Sequence, residues 1–339
     1  MKLILSLAFA FWAILSESSE CDKSLPDATA VDQSRWVAHA QGAKAKECFL
    51  VIDIEGRPVE DAEVRCTFWM GGGASGWQSI RGCTDANGLC SIEGVSKANV
   101  EYLVAKDGYY HSHGKVDYME TRSVPAVIDG KWQPYGETRT VVLKRIVDPH
   151  MVKVFGEKSY RHHIPVWEKW IGYDLEVNEW VPPYGAGKFS DVLLRFKADV
   201  RQRNRYFTYV IDVSFTNNPC AGVYLMKKDA DSDLKSVHYA NTNGVFDAKL
   251  TFSSESKPGV PVRLNYLDSN SYLVFRTRTQ VDDKGNLLRA HYGKIYGSWR
   301  SNDEEMFING GCFNPVENDT NIEGDLVLLY KIKNYKPSK

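Results

Sequence analysis

The sequence carries no surplus of either charge: 42 lysines and arginines stand against 43 acidic residues, a formal net charge of −1. It therefore gives no electrostatic reason to expect nucleic acid or an anionic membrane as partner. Helical periodicity is scarce, with one modest candidate over residues 34–47, and Gly42 weakens it. No apolar run reaches the length of about 20 residues that a membrane-spanning helix needs, so no transmembrane segment is expected. Internal repeats and long low-complexity tracts are missing. So are the Gly-x-Ser-x-Gly elbow, the His-Glu-x-x-His helix and the phosphate-binding glycine loop, which leaves no signature of the commonest catalytic sites. No cofactor is expected.

What is present begins at the N-terminus. Lys2 precedes an apolar run from Leu3 to Leu15, followed by "SESSE" with small residues Ser16 and Ser18 at cleavage positions. This pattern reads as a secretory signal peptide over residues 1–20, and the mature protein is expected outside the cytoplasm: secreted, periplasmic or at the cell surface. Cys21 invites a lipoprotein reading, but Glu20 stands where that signal needs a small residue. The seven cysteines are Cys21, Cys48, Cys66, Cys83, Cys90, Cys220 and Cys312. Disulfides are the default fate of cysteines in an exported chain, and the odd count leaves one over, for which Cys21 is the natural candidate.

Strand signals recur along the chain. Val192, Leu194, Phe196, Ala198 and Val200 share one face; Phe207, Tyr209, Ile211, Val213 and Phe215 share another, and "RQRNR" joins the two runs into a hairpin. A second hairpin turns through Asp282–Asn286. The chain reads as all-β, and its 339 residues exceed one ordinary core. Two antiparallel β-sandwich domains are predicted, over residues 48–147 and 148–339, after an N-terminal extension at 21–47. The boundary falls where a strong strand ends at Asp148-Pro149.

Within the first block the order of features is specific. A strand leads to the turn Gly56-Arg57-Pro58, then to Thr84-Asp85-x-Asn87-Gly88, then to Asp107-Gly108-Tyr109 and the closing strand "TVVLKR". Proline fixes φ in the first turn, and the second needs positive φ at Asn or Gly. This resembles the carboxypeptidase regulatory-like domain, a transthyretin-like (prealbumin-like) β-sandwich, over roughly Cys48 to Arg145. The resemblance implies an accessory module and brings no catalytic residues. It departs from the family where an inward aromatic gives way to Cys90. A four-residue loop at 85–88 would set Cys83 and Cys90 directly opposite, close enough for a disulfide; a bridge from either to Cys66 is the alternative. Redox or zinc chemistry would want Cys-x-x-Cys spacing, which is missing. In the second block, "RAHYGKIYG" and "FNPVENDTNIEGDLVLLY" resemble only uncharacterised exported bacterial proteins.

Candidate chemistry is sparse. Asp229, Asp231 and Asp233 occupy the first three ligand positions of a calcium loop, but Leu234 and Ala240 stand where glycine and glutamate are needed. His111 and His113 share a strand face with no third zinc ligand in sight, and His162-His163 adjoin. The richest stretch is residues 164–188, with Trp167, Trp170, Tyr173, Trp180 and Tyr184. Such aromatics either stack on sugar rings or plug the core. The expected function is an exported, non-catalytic binding or surface-assembly protein whose partner is polysaccharide or another exported protein. The alternative is a glycan-active hydrolase using acids such as Asp174 or Glu176 in the second block.

Overall fold

Gly42 ends the helical candidate early. In the computed structural model, which describes residues 33–73, 76–149, 153–155, 160–203 and 205–324, the α-helix among the described residues is Gln33–Gln41. Gly42 takes φ +89°, and its N–H donates to the Ala38 carbonyl at 2.7 Å, the left-handed cap that glycine adopts without strain. Strand Ala43–Asp53 starts at once, because Ala43, Ala45 and Glu47 alternate inward with outward Lys44 and Lys46. Residues 43–47, expected to be helical, are strand. The signal-peptide run and Cys21 lie outside the described residues.

The described chain is otherwise all-β. In the first block, one sheet orders Leu89–Ser96, Ala43–Asp53, Lys131–Trp132 and Val127–Ile128, with Thr138–Leu143 also paired to Ala43–Asp53. The facing sheet orders Trp77–Cys83, Glu63–Trp69, Asn99–Ala105 and Ser112–Asp117. Phe49, Val51, Val64, Phe68, Val104 and Leu143 fill the space between them. Thr138–Leu143 runs parallel to Ala43–Asp53, with Val51 opposite Val141, so the expectation of purely antiparallel pairing is corrected here. A strand that returns from the far end of a crossover can add in parallel.

The expected Cys83–Cys90 hairpin is also corrected. Trp77–Cys83 pairs with Glu63–Trp69, and Leu89–Ser96 pairs with Ala43–Asp53. The turn therefore carries the chain from one sheet to the other. Asp85 organises it, its Oδ1 accepting the N–H groups of Asn87 and Leu89 at 2.9 Å each. Cys83 stands opposite Glu63 and Cys90 opposite Phe49. The reason is burial: pairing with Ala43–Asp53 brings Ile92 into the core beside Phe49. Cys66, Cys83 and Cys90 form no disulfide with one another, and Cys48 and Cys220 are likewise unbridged. Burial pushes the Cys66 thiol up to about 12, so it stays protonated and unreactive at neutral pH.

In the second block, a six-stranded sheet orders Glu179–Trp180, Ile171–Asp174, Val192–Gln202, Tyr206–Ser214, Lys249–Lys257 and Val260–Asn265. Against it lie a sheet ordered Lys153–Phe155, Gly311–Phe313, Leu287–Ile295, Ser271–Val281 and Gly222–Lys227, and a small one made by Tyr160–His163, Glu305–Ile308 and Arg300–Ser301. Both expected hairpins form, with Leu194 opposite Val213 and Leu273 opposite Ile295. Val192, Leu194 and Phe196 are buried, whereas Ala198 and Val200 on the same face are exposed. The apolar face outruns its cover.

Between the blocks a small apolar cluster of Tyr110, Leu234 and Ile146 is joined by buried polar contacts. Lys144 Nζ donates to the carbonyls of Leu234 (2.7 Å) and Ser236 (3.1 Å) and pairs with Asp229 at 3.0 Å. Burial lowers its pKa from the ordinary lysine value. Glu323, fully buried, accepts from the Tyr110 hydroxyl (2.6 Å) and from the N–H groups of Val147 (2.8 Å) and Asp148 (2.6 Å). Residues 111–113 and 231–233 exchange backbone bonds as well: His113 N–H to the Asp231 carbonyl, Asp233 N–H to that of His111.

Candidate functional site

The five aromatics at 167–184 do not form one surface. Tyr173 and Trp180 are 0% and 4% exposed, while Trp170 and Tyr184 are each 42% exposed. Tyr173 and Trp180 stand on adjacent strands with rings edge-to-face at 5.0 Å, and Trp180 meets Phe196 at 5.9 Å. The Trp180 indole N–H reaches the His163 carbonyl at 3.0 Å. Trp167 is half-buried against Phe196. For Tyr173 and Trp180 a sugar-stacking role is corrected to a core role, since an aromatic with no exposed face has none to offer a ligand. Trp170 keeps an outer face and holds the Arg195 guanidinium 4.7 Å from its ring centre.

His162 belongs to the same core. Its Nε2 lies 2.9 Å from the Tyr173 hydroxyl, its ring sits edge-on to Tyr173 and Trp180, and burial lowers its pKa. A histidine whose folded pKa is below the unfolded value contributes stability that is present above about pH 6.5 and lost as pH falls. The melting temperature should therefore drop between pH 7.5 and 5 by more in the parent than in His162→Gln. Equal drops in the two proteins would show that His162 takes no part.

The two expected acids, Asp174 and Glu176, do converge, and Asp191, which the sequence does not single out, joins them. Asp174, Glu176 and Asp191 surround one cation, Arg278, which no sequence motif singles out. Arg278 Nε and Nη2 donate to the two Asp191 oxygens (2.8 and 3.0 Å), Nη2 also to Asp174 Oδ1 (3.1 Å), and Nη1 to Glu176 Oε2 (2.6 Å). The guanidinium carbon lies 4.0 Å from the centre of Phe189 and 4.6 Å from that of Phe313. Backbone N–H groups occupy further lone pairs of the two aspartates. Asp174 Oδ2 accepts the N–H groups of Lys188 and Phe189, and its Oδ1 those of Glu176 and Val177; Asp191 Oδ2 accepts that of Leu175. Burial raises the Asp191 pKa against the pull of Arg278. Glu176 is pulled up by burial but held below the usual range by Lys153 and Arg278.

A glycosidase pair needs one carboxyl open to the leaving oxygen and one open to water or the sugar carbon. Here Asp174 and Asp191 are closed around a guanidinium and backbone N–H groups and Glu176 is held between Arg278 and Lys153, which makes the cluster a tie between the segment 174–191 and strand Ser271–Val281. The sequence signal for it is weak. Asp191 and Arg278 lie far apart in the chain, and an arginine two residues after Arg276 in the same strand has no spacing to mark it.

Two weak motifs meet at the junction of the blocks. Asp233 faces His111 Nδ1 at 3.7 Å and His113 Nδ1 at 3.9 Å. Asp229 is drawn away to Lys144, and Asp231 is tied to residue 113 through its carbonyl. The three aspartates of the calcium-loop reading thus serve different partners. Among the described residues no three His, Cys, Asp or Glu side chains form a metal-ligand group.

A groove of about 440 Å³ lies over the uncovered end of the six-stranded sheet. Phe207 and the mostly buried Tyr209 line it, their rings 5.0 Å apart, and Ser254 stands beside Tyr209 on the next strand. Arg203, Ser301 and Asp303 stand around them. No sequence motif points here, although Phe207 and Tyr209 share the strand face that alternation predicts.

No family model matches the chain, and no curated protein matches it. Among solved structures, 3-chlorocatechol 1,2-dioxygenase from Rhodococcus opacus 1CP is similar at 13% identity and a TM-score of 0.25, over 31% of this chain and 61% of that one. The chain thus spans less than two thirds of the dioxygenase's length. A Streptococcal ancillary pilin is similar at 11% identity and a TM-score of 0.19, over 64% of this chain and 60% of that one. A mutant of the shaft pilin SpaA from Lactobacillus rhamnosus GG is similar at 10% identity and a TM-score of 0.20, over 84% of this chain and 96% of that one. Scores of this size attach no activity to the chain.

Proposed function

We propose that this is an exported, non-catalytic protein with a binding or surface-assembly role. In this reading a carboxypeptidase regulatory-like sandwich over residues 48–147 supports a second sandwich over 148–339, whose partner is polysaccharide or another exported protein. The observation that carries it is the closure of the Arg278 cluster. The acids that a hydrolase would use are spent on holding the second block together. The buried bonds of Lys144 and Glu323 support it as well, since they fix one block against the other, as suits a protein that presents a surface.

The test is a hydrolysis screen of the purified protein against polysaccharides and chromogenic glycosides, beside Glu176→Gln. Parent and variant should both stay at the blank. Turnover that Glu176→Gln abolishes without lowering the melting temperature would overturn the proposal in favour of a hydrolase.

A further inference from the structure

We infer that the groove above Phe207 and Tyr209 is a binding subsite for a neutral saccharide, an inference that rests on the binding role proposed above. Its volume of about 440 Å³ lies within the range of about 300–1,000 Å³ usual for ligand sites. It exists because the inner face of the six-stranded sheet runs past its cover. Leu264, opposite Ser254 on the outermost strand, is 60% exposed.

The polar groups around it are short of partners. Ser301 lines the groove, but its Oγ is shut off from solvent, so the groups open to a ligand are its neighbours. Asn302 spends its Oδ1 on the N–H groups of Glu304 (2.8 Å) and Glu305 (2.6 Å), while no described residue accepts from its Nδ2. The hydroxyls of Tyr209 and Ser254 line the same space and meet no described partner.

Charge selects against anions. Arg203, the cation lining the groove among the described residues, is already paired with Asp303 (3.0 Å) and Glu304 (3.2 Å), so a carboxylate or phosphate would meet two acids beside a neutralised guanidinium. A purely apolar ligand would strand the hydroxyls and the amide. A sugar ring satisfies both halves of the site. Its C–H face lies on the part-exposed Phe207 ring, and its hydroxyls, which donate and accept, match Ser254, Tyr209 and Asn302.

The experiment is a glycan array on the purified protein, followed by titration of any neutral hit against Ser254→Ala, Tyr209→Phe and Trp170→Ala. Ser254→Ala and Tyr209→Phe each remove one hydroxyl and should weaken binding about tenfold, the effect of losing one good hydrogen bond, with melting temperatures unchanged. Trp170→Ala should bind as the parent does. The inference is overturned if the array gives no neutral hit, if both hydroxyl variants bind like the parent, or if Trp170→Ala alone loses binding. An array without hits would leave the non-catalytic reading standing. A hit that is bound and then hydrolysed would overturn that reading and keep the site.

Discussion

Arg278→Met should destabilise the second block by about 3–5 kcal/mol, the usual cost of removing one partner from a buried ion cluster. The guanidinium is the common partner of Asp174, Glu176 and Asp191, of which Asp174 and Asp191 are almost wholly buried. Methionine keeps the apolar contact with Phe189 and Phe313 but offers no donor. The carboxylates would then face one another across an apolar gap, and Asp191, whose pKa burial already raises, would be the first to take up a proton. For a block of this size the melting temperature should fall by about 10 °C or more. Adding Asp191→Asn removes one of the stranded charges, so the double variant should recover part of the loss. A single variant that melts within a degree or two of the parent would show that the acids do not depend on Arg278.

This cluster also marks the limit of what the sequence discloses. The strand pattern was legible because alternation is local: Leu194 and Phe196 face in, Ile211 and Val213 face in, and a turn joins them. The second hairpin was legible for the same reason, with Asp282 accepting the N–H groups of Lys284 and Asn286 within its own turn. The Cys83–Cys90 pairing failed because a tight turn fixes the direction of the chain but not the sheet that the next strand joins. That choice belongs to Ile92 and the core around Phe49. The aromatic segment was ambiguous because the same composition suits a platform and a plug. The difference between Trp180, sealed by Tyr173 and Phe196, and Trp170, open to water, lies in neighbours distant in the sequence. The groove was invisible for a related reason. It results from one sheet ending before the other, and no single strand records where its cover stops.

Glu323→Ala should separate the melting of the two blocks. The carboxylate accepts the buried Tyr110 hydroxyl from the first block and the N–H groups of Val147 and Asp148 from the connection. Removing it takes away the acceptor that the Tyr110 hydroxyl and the two N–H groups share, a loss of about 3 kcal/mol in all. The loss falls on the junction, because none of these bonds lies within either sandwich core. Lys144 and the backbone bonds between residues 111–113 and 231–233 still connect the blocks, so they should stay adjacent at low temperature. On heating, a calorimetric scan of the parent should show one transition and a scan of Glu323→Ala two, the earlier one lowered by several degrees. Tyr110→Phe is the graded control. It removes one donor and leaves the carboxylate its backbone partners, so it should cost about 1 kcal/mol and keep the single transition. If Glu323→Ala melted in one step at the parent's temperature, the junction would owe nothing to this carboxylate, and the proposed fixed presentation of the second block would lose its support.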